Sequence, residues 1–140
     1  MQRMRRERGF TLIELMVVLT ILAMLAALVV PRLFKNADKA KVSATKTQIA
    51  ELESALDAYR LDVGSYPTTQ MGLQALLAKP TGVEKWDGPY LKKEELPLDS
   101  WGKAFVYKSP GDHGDYDLMS YGADGQAGGD GVNADIVSWK

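Results

Sequence analysis

From Phe10 to Val30 the chain reads FTLIELMVVLTILAMLAALVV, 21 residues in which Glu14 is the only charge. At about 1.5 Å per residue, such a run crosses a hydrocarbon core of roughly 30 Å as one helix. An unpaired carboxylate in lipid is costly, so Glu14 marks a functional site whose partner must be identified. The preceding nine residues, MQRMRRERG, carry Arg3, Arg5, Arg6 and Arg8 against Glu7. By the positive-inside rule this leader stays cytoplasmic, and the domain after the apolar run is exported. The net charge of −1 conceals the division: +3 in the leader and −4 from Phe10 to Lys140. The remaining lysines are scattered, so no nucleic-acid footprint exists. No cysteine is present, so the exported domain has no disulfide.

Three readings fit the first thirty residues. A cleaved secretory signal has an apolar stretch of only about 7–15 residues, and here the run continues past Met24-Leu25-Ala26-Ala27. A plain signal anchor explains the length and the arginines but leaves Glu14 without a role. A cut between Gly9 and Phe10 creates a new cationic amine four residues before Glu14. The segment Gly9-Phe10-Thr11-Leu12-Ile13-Glu14, between a basic leader and an apolar helix, resembles the class III signal of type IV pilins and pseudopilins. The resemblance implies that a prepilin peptidase cuts after Gly9 and methylates the amine of Phe10, and that Glu14 is the assembly carboxylate. Methylation preserves the positive charge. Two unit charges about 4 Å apart gain roughly 4 kcal/mol at an effective dielectric near 20, before desolvation is subtracted. The competing reading keeps Glu14 as an interfacial carboxylate snorkelling to the headgroups.

Past the apolar run, Pro31 lacks a helix donor and disfavours helix at Val30, which predicts a kink or local melting. Val42, Ile49, Leu56 and Val63 then recur every seven residues, with Leu52 and Tyr59 at the other seam position. One apolar stripe on a helix from about Lys39 to Arg60 follows, set within an amphipathic segment spanning roughly 32–62. Turn residues at Asp62–Pro67 end it. A short helix is predicted over Met71–Ala78, then loop to 103. Strands are predicted at Ala104–Lys108 and Tyr116–Tyr121, with Ile136 and Trp139 covering the sheet. The fold class is α+β: a long N-terminal helix, its first half in the membrane, followed by a small antiparallel sheet. The domain layout is a leader over 1–9, an assembly helix over 10–31, and an exported domain over 32–140.

The exported part is similar to the G-type major pseudopilins of type II secretion. The similarity is carried by Ala55–Asp62, Tyr66-Pro67-Thr68-Thr69, Gly72–Leu76, Tyr90–Lys93, Asp99-Ser100-Trp101-Gly102 and Asp117–Asp124. It implies a type IV pilin-like fold and a structural subunit held in the bacterial inner membrane. Processed copies polymerise into a periplasmic helical filament that drives protein export. The implied partners are other copies of the chain, minor pseudopilins, the prepilin peptidase, the inner-membrane assembly platform and lipid. Pro31 occupies the position below which related helices loosen. Ala23 stands where many members have glycine, which implies more limited melting here. Ser100 departs from a common proline and implies a change in loop rigidity. The alternatives are a type IV pilin for adhesion or motility, and a membrane-tethered calcium-binding domain.

Gly122–Gly125 and Gly128–Asp135 concentrate oxygen donors in a glycine-rich loop suited to a hard cation. The ligand spacing of an EF-hand is missing, and an unliganded mobile loop remains the other reading of such a composition. The family resemblance implies calcium, with Asp124 and Asp135 as acidic ligands and Tyr121 contributing its backbone carbonyl. Asn133 stands near another acidic position, which leaves one charge fewer unless Asp130 compensates. An enzyme is not expected. His113 is the only histidine and reads as solvated in its turn, and Asp115 and Asp117, two apart, read as an exposed strand face. Nucleophilic triads and zinc clusters have nothing to draw on. Mass spectrometry of the purified protein is expected to show a chain starting at Phe10 with one added methyl group; a chain retaining its arginines would contradict the cleavage reading.

Overall fold

The computed structural model describes residues 9–140, so residues 1–8 of the expected leader lie outside the described residues. Helix α1 spans Leu12–Val63. It is followed by a 3₁₀ turn at Leu73–Leu76, strand β1 at Val106–Lys108, strand β2 at Asp117–Ser120, a second 3₁₀ turn at Gly131–Asn133 and strand β3 at Ile136–Val137. The chain divides into two units between Ala37 and Asp38. The helical assignment passes through Pro31 without a break, so the melting expected there is absent. One lost donor removes a single bond from a 52-residue ladder, and the cooperative hydrogen bonding of the turns on either side holds the helix together. The helix stops after Val63 because Gly64 adopts φ 95° and its N–H donates to the Arg60 carbonyl at 2.7 Å, a glycine cap.

The second unit is built on the predicted stripe. Ile49, Leu52, Leu56 and Tyr59 are buried, with Val42 and Val63 packed at the margin. Thr45 and Ala55 join the buried face, extending the Leu52–Tyr59 seam one heptad upstream. Against these residues pack Leu73 and Leu76 from the 3₁₀ turn, Phe105, Leu118 and Ile136. Each fully buried leucine contributes about 1.5–3 kcal/mol relative to exposure. Thr45 is satisfied by the loop opposite: its hydroxyl donates to Ser100 Oγ at 2.9 Å and accepts the Ser100 N–H at 3.2 Å. A proline at position 100 has no such N–H, so serine here ties the loop to α1.

The α+β expectation holds, with two refinements. The sheet has order β1-β2-β3, all antiparallel, pairing Val106 with Met119 and Ser120 with Ile136. The tail therefore does more than cover the sheet: it supplies a third strand, secured where Ser138 N–H donates to the Leu118 carbonyl at 3.0 Å. The helix expected over Met71–Ala78 is a single 3₁₀ turn, because Gly72 at φ 62° opens it and Pro80 follows closely.

His113 and Asp117 form a pair that their sequence context did not suggest. Asp117 is only 2% exposed and accepts the N–H groups of Asp112 and His113 at 3.0 and 3.1 Å. His113 Nδ1 lies 2.9 Å from its Oδ2, and the imidazole stacks on Trp139 at 4.0 Å between centroids. A Cβ at Gly111 would sit 2.5 Å from Asp117 Oδ1, so only glycine permits this close turn. Burial opposes ionisation of Asp117, yet donation from His113 and from the two backbone N–H groups holds its carboxyl below the ordinary 3.8. A depressed folded-state value means that the unfolded chain binds more protons in acid. The stabilisation is therefore complete above about pH 4 and fades as pH falls through the lower folded value. Thermal melts between about pH 5 and pH 2 are expected to show a steep acid limb that Asp117→Asn flattens. Parallel losses in both proteins would contradict this.

Candidate functional site

The chain carries two features that the rest of the fold does not use. The first is the start of α1. Phe10 is 90% exposed, and the apolar side chains from Leu12 to Phe34 are left uncovered by the chain itself. Among the described residues, one helix is long and apolar enough to cross a membrane, and none of its apolar window is buried. Glu14 lies in the first turn, where a carboxylate favours the helix dipole. Its Oε2 accepts the Thr11 N–H at 2.9 Å and the Thr11 hydroxyl at 3.2 Å, while Thr11 Oγ1 accepts the Glu14 N–H at 3.3 Å. This reciprocal arrangement is a capping box, and its signature, Thr11-x-x-Glu14, stands in the sequence. The sequence points to the Phe10 amine as the partner of Glu14; the partner within the described residues is Thr11. The box holds the carboxylate against the amide that follows Phe10, one residue from the amine that cleavage after Gly9 would expose. Pro31, the other expected assembly residue, lies inside the helix interior.

The second feature is the loop from Tyr121 to Asp135. Gly122, at φ 67°, lets the loop close on itself: a Cβ there would lie 2.7 Å from the Val132 carbonyl oxygen and 2.9 Å from that of Ala134. Ala123 N–H donates to the Val132 carbonyl at 2.8 Å. Gly129 makes a similar approach: a Cβ there would lie 2.6 Å from the Asn133 carbonyl oxygen. Three consecutive carbonyl oxygens thus line positions that only glycine leaves open. Asp135 Oδ2 accepts the Gly128 N–H at 2.9 Å, whereas its Oδ1 is buried without a hydrogen-bond partner. A buried carboxylate oxygen left unpaired is costly, and a hard cation is a fitting partner. Asp124 Oδ1 accepts the Gln126 N–H at 3.0 Å, and its side chain is otherwise exposed. Asp130 and Asn133 are exposed, and Tyr121 is half-buried at the loop's start. Among the described residues, no three carboxylate, imidazole or thiolate side chains converge. Any cation here would be held largely by carbonyl and amide oxygens, a donor set that suits calcium better than zinc.

Comparison with known proteins gives a consistent result. The family described as Type II secretion system (T2SS), protein G matches residues 32–139, and the Prokaryotic N-terminal methylation motif matches residues 4–30. The type II secretion system core protein G of Vibrio cholerae is 50% identical over 143 residues, covering 100% of this chain and 97% of that protein. Its counterpart from Pseudomonas aeruginosa is 52% identical over 144 residues, covering 99% of each. Among solved structures, the major pseudopilin from the type 2 secretion system of enterohaemorrhagic Escherichia coli superposes with a TM-score of 0.65 at 38% identity. The match covers 78% of this chain and 95% of that one.

Proposed function

The chain belongs to the protein G family of type II secretion systems, and on that premise we propose that it is the major structural subunit of a secretion pseudopilus. The observation that carries this reading is the apolar helix with no cover of its own and a single carboxylate in its first turn. Such a surface suits lipid before assembly and other copies of the chain afterwards. The matched methylation motif spans the Gly9–Phe10 junction, which supports cleavage after Gly9 and a methylated amine on Phe10.

In this mechanism the precursor waits in the inner membrane with its N-terminus cytoplasmic and residues 32–140 in the periplasm. Thr11 satisfies Glu14 within the chain at this stage. Once the Phe10 amine is free, it becomes a cationic partner for Glu14 of a neighbouring copy and sets axial register. Minor pseudopilins and an inner-membrane platform complete the assembly, and the growing filament drives export across the outer membrane. The role is structural, not catalytic. Glu14→Ala is expected to leave the fold and membrane insertion intact while abolishing filaments and secretion; filaments that persist in that variant would refute the electrostatic register.

Calcium is part of the proposal. Asp135 would supply the open buried oxygen, and the Tyr121 carbonyl, Asp124, Asn133 and Asp130 are the other oxygen donors that the loop offers. When bound, the ion would neutralise the Asp135 carboxylate and tie the loop down in a chain without disulfides. Calcium is expected to raise the melting temperature of the wild-type protein but not of Asp135→Asn, measured with magnesium as the control. Equal melting with calcium and with chelator would remove calcium from the account.

A further inference from the structure

Lys103 lies outside the set of residues that the family resemblance assigns to the loop, yet its ammonium sits on that loop. Nζ donates to the Ala123 carbonyl at 2.5 Å and to the Gly122 carbonyl at 3.3 Å. The stem follows the turn closely: a Cβ on Gly125 would meet Lys103 Nζ at 3.0 Å, Cε at 3.1 Å and Cδ at 3.2 Å. The backbone of Lys103 is fixed in turn. Its N–H donates to Asp99 Oδ1 at 2.9 Å, and its carbonyl accepts the Asp99 N–H at 2.8 Å. Asp99 is 5% exposed, also accepts the Trp101 N–H, and takes the Ser120 hydroxyl on Oδ2 at 2.6 Å. Ser120 Oγ then accepts the Gly122 N–H at 3.2 Å. The Gly122 peptide is thereby gripped at both ends, its N–H through Ser120 and its carbonyl through Lys103.

We infer that Lys103 is a resident cation of the C-terminal loop. It holds the Gly122 and Ala123 carbonyls without any metal, whereas the open carboxylate oxygen of Asp135, at the far end of the loop, has no such partner. The ammonium is a point charge with several donors and takes two carbonyl oxygens at once, as a bound metal ion does. Lys103 is thus a positioning residue: it sets where the Tyr121–Asp124 stretch stands before a cation arrives. The part of this inference that concerns Asp135 rests on the calcium reading; the part that concerns Gly122 and Ala123 does not.

Amide hydrogen exchange on the full chain in detergent micelles separates the two. In EDTA, Lys103→Met is expected to speed exchange at Gly122 and Ala123 by about tenfold or more, the loss of a charge-assisted bond. Lys103→Arg is expected to retain most of the protection, and the β2 amides should be unchanged in both variants. Unchanged rates at Gly122 and Ala123 in Lys103→Met would overturn the inference, as would an equal loss of protection in β2, which would make the lysine a general stability residue. Adding calcium chloride is expected to slow exchange from Gly128 to Asp135 in wild type and in Lys103→Met alike. If calcium slows neither, the calcium reading falls while the result in EDTA still decides the role of Lys103.

Discussion

A helical surface of leucine, isoleucine, valine and methionine side chains that the chain never covers governs everything else in this molecule. Burying one such side chain is worth about 1.5–3 kcal/mol, so more than a dozen of them make solitary existence in water prohibitive. Lipid and other copies of the same helix are the two environments that relieve this cost. Glu14 suits neither unless it is satisfied. Thr11 meets that need within the chain, and in the proposed assembly an amine at Phe10 would meet it between chains. A single carboxylate can therefore serve both the waiting and the assembled state without a change in the helix that carries it.

The buried aspartates of the packed unit show how sharply the loop differs from its surroundings. Asp99 is held by two backbone N–H groups and a hydroxyl, and Asp117 by two backbone N–H groups and an imidazole. Both are complete. Asp135 has one oxygen bonded and the other buried and open. Since buried polar atoms are nearly always paired, the incomplete one is the informative one. The chain thus separates carboxylates that hold the fold from the one with capacity left for a ligand.

The long-range plan was legible because it rests on periodicity. The seven-residue recurrence of Val42, Ile49, Leu56 and Val63 announced the buried face of α1, and Gly64 announced its end. The strand-like runs AFVYK and YDLMSY located β1 and β2 to within two residues. What was hidden depends on contacts between distant residues. His113 is embedded in a polar turn, and nothing local reveals that Trp139 stacks on it or that Asp117 is buried beneath it. Lys103 reads as one more scattered lysine until Gly122 and Ala123 are brought to its tip. The unbroken helix at Pro31 reflects the opposite case, in which a strong local rule yields to the cooperative ladder on either side. At the site itself, Glu14 and the oxygen-rich loop were visible as composition. Which oxygen remains open was not, because that is a property of packing.

The tail strand carries a last implication. β3 has two residues, and the stretch from Tyr121 to Asp135 is anchored by β2 at one end and by β3 at the other. Loss of residues 136–140 would remove Ile136, Ser138 and Trp139 together, and with them the far mooring of the entire loop. Damage to that handful of residues would thus be felt across a loop several times as long, which makes a two-residue strand the hinge on which the whole segment's integrity turns.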